Sequence, residues 1–194
     1  MDIFSFFAEN FDLPILEWVA EHIHCGFLDA VMPWVTKLGD AGIFWIAMAV
    51  VLLFIPKYRK VGLGMGAALV IGLLVCNVTL KPLLARPRPY DYQLEHFGKT
   101  IELLIATPHD FSFPSGHTLA SFEGATVLML HNKKLGIPAM VLAVIIAFSR
   151  LYLYVHYPTD VLTSVVLGIC FGLLGNWLVK KGFQLFENRR SKAA

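Results

Sequence analysis

Residues 113–131, FPSGHTLASFEGATVLMLH, form a long apolar run that begins with proline, serine, glycine and histidine. Proline at the start of a helix, with a Ser-Gly pair beside it, leaves several backbone N–H groups unpaired and pointing in one direction. A helix terminus of this kind binds anions, phosphate above all. A membrane helix that merely begins with these residues would look the same, so the rest of the chain has to decide between the two interpretations.

The composition indicates a polytopic membrane protein. Of 194 residues, 57% are hydrophobic and only 15% are charged. The mean hydropathy of +0.64 lies outside the range of soluble globular domains. We therefore expect a single all-helical, membrane-embedded domain over residues 1–194. The first residues are acidic and no small-residue cleavage pattern follows, so no cleavable signal peptide is predicted.

The three cysteines are scattered and lie mostly in apolar runs: Cys25, Cys76 and Cys170. Their spacing predicts neither a disulfide framework nor a set of metal ligands, and they are interpreted as packing residues. Nothing in the sequence suggests a nucleic-acid partner.

Two segments near the amino terminus are amphipathic. Apolar residues share one helical face in residues 14–24 and again in residues 26–38. Both segments are too polar to span a bilayer, so residues 1–40 should form helices that lie at its surface or pack on the bundle. This region contains seven acids, beginning with Asp2, against one lysine. Residues 39–42, Gly-Asp-Ala-Gly, then break the helical pattern.

Five apolar segments follow that we expect to cross the membrane, judged against the roughly 20 apolar residues that a span requires. They are residues 41–56, 61–81, 113–131, 135–155 and 157–179. Together they form a bundle over residues 41–179, followed by a basic tail over residues 180–194 that includes Lys192. By the positive-inside rule, the short basic links and this tail lie in the cytoplasm. The long connection, residues 82–112, and the amino terminus then lie outside.

This topology places four basic residues at the outer ends of helices, where basic residues are normally sparse. They are Lys81, Arg86, Arg88 and Arg150. Snorkelling of the side chains explains one or two such residues. Four that converge from two hairpins predict an anion held at the outer membrane face.

A further polar segment ends the fourth span: Ser149-Arg150, followed by His156 and Asp160. On a helix, His156 and Asp160 at positions i and i+4 are neighbours, so the carboxylate can hold one imidazole nitrogen while the other faces the site. An interfacial histidine and a helix-start carboxylate are the plainer interpretation of each residue alone. A carboxylate at this depth is costly unless it is paired, which favours a functional role.

Taken together, these segments closely resemble the type 2 phosphatidic acid phosphatase superfamily of membrane lipid phosphatases. That family's pattern is a lysine, six residues and Arg-Pro; then Pro-Ser-Gly-His; then Ser-Arg, five residues, a histidine, three residues and an aspartate. The matching residues are Lys81, Arg88-Pro89, Pro114 to His117, Ser149-Arg150, His156 and Asp160. The chain is similar to the small bacterial undecaprenyl-pyrophosphate and phosphatidylglycerophosphate phosphatases. Arg86-Pro87 has the wrong spacing from Lys81 to be the motif arginine.

The resemblance implies a mechanism. His156, oriented by Asp160, attacks the terminal phosphorus and forms a phosphohistidine, and His117 protonates the leaving lipid oxygen. The phosphate oxygens are held by cations and neutral donors: Lys81, Arg88, Arg150, the Ser115 hydroxyl and the Gly116 amide. Three fixed cations replace a metal ion, so no metal or cofactor is expected. The histidines start in different protonation states, His156 neutral and His117 charged, which predicts a bell-shaped pH profile.

The implied substrate is a lipid phosphate or pyrophosphate that reaches an extracytoplasmic site from within the membrane. Undecaprenyl pyrophosphate is favoured, and phosphatidylglycerophosphate, phosphatidate and lipid A stay open. Two other functions also stay open: a phosphotransferase that uses the same intermediate, and a protein that only binds or moves an anionic lipid. The superfamily also resembles the soluble vanadium haloperoxidases, but five apolar spans argue against that kind of protein. The sequence leaves the oligomeric state undetermined.

Several other residues carry weaker expectations. Glu123 lies in the middle of a span, and we expect it to pair with another side chain inside the bundle rather than to line a lipid entry. The residues that begin the external connection are expected to be solvated rather than in contact with a headgroup: Tyr90, Asp91 and Tyr92. The tryptophans fit interfacial belts, with Trp18, Trp34 and Trp45 at the outer interface and Trp177 at the inner one.

Overall fold

A computed structural model describes residues 3–193 of the chain, with side chains described from residue 3 to residue 191. Asp2 and the side chain of Lys192, both counted in the charge pattern, lie outside this part. Residues 3–193 contain no strand, which confirms the all-helical prediction. The helices are α1 (Ile3–Phe7), α2 (Leu13–His22), α3 (Gly26–Lys37), α4 (Ile43–Phe54), α5 (Arg59–Gly72), α6 (Lys81–Leu84), α7 (Pro89–Phe97), α8 (Gly116–His131), α9 (Lys133–Tyr152) and α10 (Pro158–Ala193).

The amino-terminal helices pack on the bundle. A π-helical turn, Ala8–Asp12, joins α1 and α2 without leaving helical backbone angles. Such a turn inserts an extra residue into a helix and often marks a functional site. Asp12, its last residue, is fully buried, and Leu13 and Leu16 belong to a buried cluster that includes Tyr157. The sequence left open whether this region lies at the membrane surface or packs on the bundle. The buried residues show that α2 packs on the bundle.

The predicted break at residues 39–42 separates α3 from α4, and the two helices are bent by 41°. Ala41 and Gly42 both adopt left-handed backbone angles, with φ of 50° and 66°. Glycine adopts this conformation freely, whereas an alanine costs about 1–2 kcal/mol. The backbone thus leaves the helix here and returns to it at a new angle.

Fewer helices qualify as membrane spans than the sequence predicted. By length and composition, three stretches of the described chain do so: Pro56–Phe97, Lys133–Tyr152 and Pro158–Ser191. A fourth results if α3 and α4 together count as one bent span. The remaining predicted span corresponds to α8, which has 16 residues against the roughly 20 required.

α8 is instead the central helix of the bundle. It packs against α5, α9 and α10. Nearly every residue from Thr118 to Leu128 is buried, whichever side of the helix it occupies. A helix enclosed by protein on all sides needs no lipid-facing surface, so its shorter length is compatible with a membrane bundle.

One long helix carries Lys81 to the end of the bundle. α5 continues through the π-helical segment Leu73–Leu80 into α6, which ends at Ala85 with a left-handed φ of 43°. The chain then forms α7, crosses residues 98–115 without another helix, and enters α8. The Ser112 N–H donates to the Arg86 carbonyl at 2.8 Å and ties this segment to the link between α6 and α7.

Glycines allow α10 to approach its neighbours closely. A Cβ placed on Gly175 would lie 2.6 Å from the Ala68 nitrogen and 2.8 Å from the Gly64 carbonyl oxygen, both in α5. A Cβ on Gly168 would lie 2.8 Å from the Leu119 carbonyl oxygen in α8. Small residues at such contacts let helices pack closely inside a membrane.

Some weaker expectations were wrong. Trp45 is fully buried and donates to Ser121 Oγ at 3.0 Å, so it joins α4 to α8 instead of lying in an interfacial belt. Tyr90 is also buried, and its hydroxyl donates to the Pro108 carbonyl at 2.7 Å. Tyr92 is buried too, with its hydroxyl 2.7 Å from Glu9 Oε1.

Glu123 is buried in α8, but the pairing expected for it is not found. Among the described residues, its Oε1 has no hydrogen-bond partner. The carboxyl group packs against Gly72 of α5, where a Cβ would come within 1.9 Å of Oε1. Glycine at that position makes the room for this side chain.

Candidate active site

Lys81 and Arg88 converge on Asp110 at one end of the bundle. Lys81 Nζ donates to Asp110 Oδ2 at 2.5 Å. Arg88 donates to Asp110 Oδ1 through Nη2, and through Nε to the Asp110 carbonyl oxygen at 2.8 Å. Both cations are buried, whereas 56% of the Asp110 side chain is exposed. The structure thus brings two motif cations together around one carboxylate.

The Asp110 carboxylate is held in its ionised form. Burial alone would raise the pKa of Asp110, but the hydrogen bonds and charges of Lys81 and Arg88 lower it well below its usual range. Asp110 therefore occupies both of the motif cations that the sequence predicts to hold a phosphate.

His156 lies beside the same group of cations. Arg88 Nη1 donates to the Val155 carbonyl at 2.6 Å and lies 3.3 Å from His156 Nε2. Arg150, buried near the end of α9, donates through Nη1 to Thr36 Oγ1 at 2.5 Å. Its Nε has no partner among the described residues, which leaves a buried donor free for a ligand.

These surroundings favour the neutral form of His156. Burial, and then the charges of Arg88, Arg150 and Lys81, lower the pKa of His156 well below its ordinary value of 6.5. The imidazole therefore carries no proton on one nitrogen at neutral pH. A lone pair is available in a buried site that is rich in positive charge.

Asp160 faces the other nitrogen of His156. Nδ1 lies 3.6 Å from Asp160 Oδ2, and Ser112 bridges the gap. Ser112 Oγ donates to Asp160 Oδ2 at 2.5 Å and lies 3.5 Å from His156 Nδ1. The predicted pair is thus brought together, but through a different geometry. α10 begins at Pro158, so His156 lies in the turn before that helix and not on it.

Arg86 has a role that the sequence did not predict. Its Nη1 donates to Asp160 Oδ1 at 2.5 Å, and its Nη2 donates to Asp12 Oδ2 at 2.7 Å. Thr159 also donates to Asp12, through its N–H at 2.9 Å and its hydroxyl at 2.7 Å. Of the four basic residues expected to hold an anion, Arg86 is therefore committed to two buried carboxylates.

His117 lies in the first turn of α8, as predicted. Its Nε2 is 2.7 Å from Asp40 Oδ1, an atom of the turn between α3 and α4. Each of the two histidines therefore has a carboxylate in its surroundings.

The residues before His117 are buried at the start of α8. The Ser115 N–H donates to Ser164 Oγ at 2.8 Å, and Ser115 Oγ lies 3.0 Å from Thr118 Oγ1. A Cβ on Gly116 would lie 3.4 Å from the Asn77 amide nitrogen. Both the N–H and the hydroxyl of Ser115 thus have partners inside the bundle, and the structure does not place this predicted phosphate ligand with the other motif residues.

A cavity of about 1100 Å³ connects these groups. Charged and polar residues line one part of it: Lys81, Arg88, Asp110, Gly116, His117, Arg150 and His156. Apolar residues of α4 and α5, among them Ala49, Val50 and Val70, line another part. The cavity therefore suits an amphiphile with a phosphate headgroup and an apolar tail.

Sequence reasoning missed the partners of the motif residues. They are Asp12, Thr36, Asp40, Asp110 and Ser112. Asp110 and Ser112 stand directly before the Phe-Pro-Ser-Gly-His stretch, and Asp40 stands between the glycines of the predicted break. Their location, beside a motif or inside a predicted turn, is the signal that the sequence offers. It does not specify which residue each of them contacts.

A helical bundle that gathers two histidines and three cations at one part of a partly apolar cavity has the groups that a membrane lipid phosphatase needs. Residues 59–184 match the PAP2 superfamily. The chain therefore belongs to the PAP2 superfamily, which confirms the resemblance and the prediction of a phosphatase.

Individual relatives agree with this assignment. The chain is 33% identical over 152 residues to an undecaprenyl-diphosphatase of Sulfolobus acidocaldarius, an alignment that covers 78% of this chain and 67% of the relative. It is 34% identical over 178 residues to phosphatidylglycerophosphatase B of Bacillus subtilis, with 86% and 80% covered. Among solved structures, a PAP2-type phosphatidylglycerolphosphate phosphatase from Bacillus subtilis is similar with a TM-score of 0.67, 27% identity and 92% of each chain covered.

Proposed function

We propose that this protein hydrolyses the terminal phosphate of a lipid phosphate or pyrophosphate through a phosphohistidine on His156. The placement of the two ring nitrogens carries this proposal. Nε2 lies 3.3 Å from Arg88, whereas Nδ1 faces Ser112 and Asp160. A neutral imidazole whose free nitrogen faces the cations is what a nucleophile on phosphorus requires.

In the first step, the Nε2 lone pair of His156 forms an N–P bond while the bond from phosphorus to the leaving lipid oxygen breaks. The negative charge of the bound phosphate favours the protonated ring of His117, and the leaving oxygen takes its proton from that imidazolium. Asp160, acting directly and through Ser112, stabilises the positive charge that develops on the His156 ring. A general acid in this position contributes about 10²–10⁴ to the rate.

The phosphate oxygens are stabilised by three cations and one neutral donor. They are Lys81, Arg88, Arg150 and the Gly116 N–H. Lys81 and Arg88 become available when the phosphate displaces Asp110. Positioning and charge stabilisation supply most of the catalysis in phosphoryl transfer, and fixed cations can act where Mg²⁺ acts in other enzymes. We therefore propose a reaction without a metal ion.

In the second step, water attacks the phosphohistidine and the N–P bond breaks. His117, left neutral by the first step, takes a proton from the attacking water and returns to its charged form. His156 regains its lone pair, and inorganic phosphate leaves. The two steps together consume one water molecule and restore the enzyme.

Undecaprenyl pyrophosphate is the favoured substrate. A relative named undecaprenyl-diphosphatase and the apolar lining from α4 and α5 support it. The relative named phosphatidylglycerophosphatase B supports phosphatidylglycerophosphate as the second candidate. The charge pattern of the sequence supports an active site on the extracytoplasmic face of the membrane and a cytoplasmic carboxyl terminus.

The proposal is tested by phosphate release from a panel of lipid mono- and diphosphates in detergent, with EDTA present. Wild-type protein is compared with His156→Ala and with Glu95→Gln, which changes an exposed acid of α7. We expect release by the wild type and the control, and none by His156→Ala. Release that persists in His156→Ala contradicts the phosphohistidine. A phosphorylated product in place of free phosphate indicates a phosphotransferase, and a wild type that binds lipid without cleaving it indicates a binding protein.

A further inference from the structure

The turn between α3 and α4 reaches the imidazole of His117. Asp40 Oδ1 lies 2.7 Å from His117 Nε2. Gly39 allows this approach, because a Cβ there would lie 2.6 Å from His117 Cδ2. Two hydrogen bonds hold the turn: Gly39 N–H to the Thr36 carbonyl at 2.9 Å, and Gly42 N–H to the Gly39 carbonyl at 3.1 Å. The backbone that carries Asp40 is thus held by local hydrogen bonds, while 57% of its side chain is exposed.

We propose that Asp40 is a positioning residue for His117, which holds the Nε2–H of the ring and leaves Nδ1 to exchange a proton with substrate and water. This inference rests on the proposed function, in which His117 is the general acid and base. A carboxylate only accepts hydrogen bonds, so a contact with Nε2 requires the proton to be on that nitrogen. The tautomer of the neutral ring is then fixed with Nδ1 unprotonated.

A fixed tautomer serves both steps of the reaction. Nδ1–H gives its proton to the leaving oxygen in the first step, and the bare Nδ1 accepts a proton from water in the second. Nε2–H stays on Asp40 throughout, so the ring does not have to turn over between the steps. An imidazole without this contact would spend part of its time with the proton on the wrong nitrogen.

The charges around His117 oppose one another. Burial, and then the charge of Arg150, lower the pKa of His117 to about 3, although the contact with Asp40 raises it. The expectation that His117 starts charged is therefore wrong for the protein without substrate, and Asp40 favours the protonated ring that the reaction needs. Arg150 is itself held by Thr36, which lies in the last turn of α3, four residues before Asp40. The end of α3 and the turn after it therefore set both the main favourable and the main unfavourable charge near the ring.

Asp40 lies outside the part of the chain that carries the family motifs. The superfamily match begins at residue 59, and the three motifs lie between Lys81 and Asp160. The structure thus gives His117 a carboxylate of its own, from a separate segment, in the way that Asp160 serves His156. Nothing in the motif spacing indicates this second pair.

The test compares Asp40→Asn and Asp40→Glu with the wild type and with Glu95→Gln, measuring kcat/KM for phosphate release across the pH range. Removing the carboxylate partner of a metal-bound histidine lowers activity by about tenfold to a hundredfold, and we take a loss of that size as the expectation for His117. We expect a loss of this size in Asp40→Asn, with the basic limb of the profile moved to lower pH, because the protonated ring loses its partner. Asp40→Glu keeps a carboxylate and should restore most of the rate, and Glu95→Gln should match the wild type.

Two outcomes overturn the inference. One is an Asp40→Asn enzyme with the wild-type rate and pH profile. The other is an equal loss in the Asn and Glu variants with an unmoved basic limb, which indicates a purely structural role. A wild type that releases no phosphate overturns the proposed function instead. In that case, ¹⁵N NMR of histidine-labelled protein decides the inference: we expect Asp40→Asn to lose the Nε2–H tautomer of His117, and an unchanged tautomer overturns it.

Discussion

The two ring nitrogens of His156 face groups of opposite charge. Arg88 lies beside Nε2, and Ser112 with Asp160 lies beside Nδ1. Burial and the nearby cations lower the pKa of the ring. In the proposed reaction, the carboxylate stabilises the positive charge that forms on the ring during attack. The residue is thus arranged to be neutral before the reaction and stabilised during it.

The pH dependence follows from the lowered pKa of His156. A group with a lowered pKa stays unprotonated until the pH falls below that pKa. The His156 imidazole therefore stays neutral as the pH drops through 6.5. We expect the rate of phosphohistidine formation, measured in a single turnover, to keep its plateau there and to show its acid limb at lower pH. An acid limb centred at the ordinary histidine value would contradict this account of the site.

In the proposed mechanism, Asp110 competes with substrate for Lys81 and Arg88. Removing its charge should therefore tighten the binding of inorganic phosphate, measured as the inhibition constant for product. For Asp110→Asn we expect an inhibition constant about tenfold lower, which corresponds to about 1.4 kcal/mol. Glu102→Gln, an exposed acid of the same segment, is the control and should leave the constant unchanged. Weaker phosphate binding in Asp110→Asn would mean that the carboxylate organises the cations instead of competing for them.

The motif residues could be placed from the sequence, whereas their partners could not. Within each motif, the residues proposed to touch the phosphate keep a fixed spacing along the chain, which is visible from Lys81 to Arg88 and from Arg150 to His156. Asp12 and Asp40 reach the site through packing of the amino-terminal helices, and no local pattern records such an approach. The spacing of Arg86 from Lys81 excludes it as the motif arginine. That spacing says nothing about a buried carboxylate elsewhere in the fold, such as Asp12.

Among the helices, α10 depends on close contact with α5. Gly175→Ala should force the two apart, because the new Cβ would meet the α5 backbone at 2.6 Å. We expect a loss of about 1–3 kcal/mol in the free energy of unfolding, measured as a lower melting temperature in detergent. Gly182→Ala in the same helix is the control, since its Cβ would meet nothing within 4 Å. Equal melting temperatures for the two variants would show that the helices can adjust without cost.

The amino-terminal helix is fastened to the bundle by a buried charge. Asp12→Asn leaves Arg86 with one carboxylate in place of two, in a site where the Asp12 side chain is fully buried. Removing one partner of a buried ion pair costs about 3–5 kcal/mol, and we expect the lower end because Asp160 remains. Thermal unfolding in detergent measures the loss, with the exposed Glu21→Gln as the control. A melting temperature equal to that of the wild type would show that this helix contributes little to stability.

Helix positions could be predicted better than helix lengths. Hydropathy located the apolar runs correctly, but it counts side chains and does not register where the backbone leaves the helix. α4 is short because Ala41 and Gly42 turn the chain just before it. α8 can be short because protein surrounds it on all sides, a property of the assembled bundle that its own sequence does not specify.

For the molecule as a whole, the charge pattern predicts one orientation in the membrane. In a background without the native cysteines, Glu95→Cys in α7 should react with a membrane-impermeant thiol reagent in intact cells. Lys133→Cys, at the start of α9, should react only after the membrane is permeabilised, because basic links stay in the cytoplasm. Both side chains are exposed, so burial does not limit labelling. The reverse labelling pattern would place the active site in the cytoplasm.

The Asp110 carboxylate, which contacts Lys81 and Arg88, should select among the phospholipids that surround the protein. A bilayer presents a great excess of phosphodiester headgroups, each with a single negative charge on its phosphate. Such a headgroup gains little by replacing Asp110, which brings the same charge and is already tethered in place. A terminal phosphate brings up to two charges on one phosphorus and has the advantage. We therefore expect that phosphodiester lipids do not inhibit the enzyme, even in large excess. Only lipids with a terminal phosphate should displace Asp110 and bind.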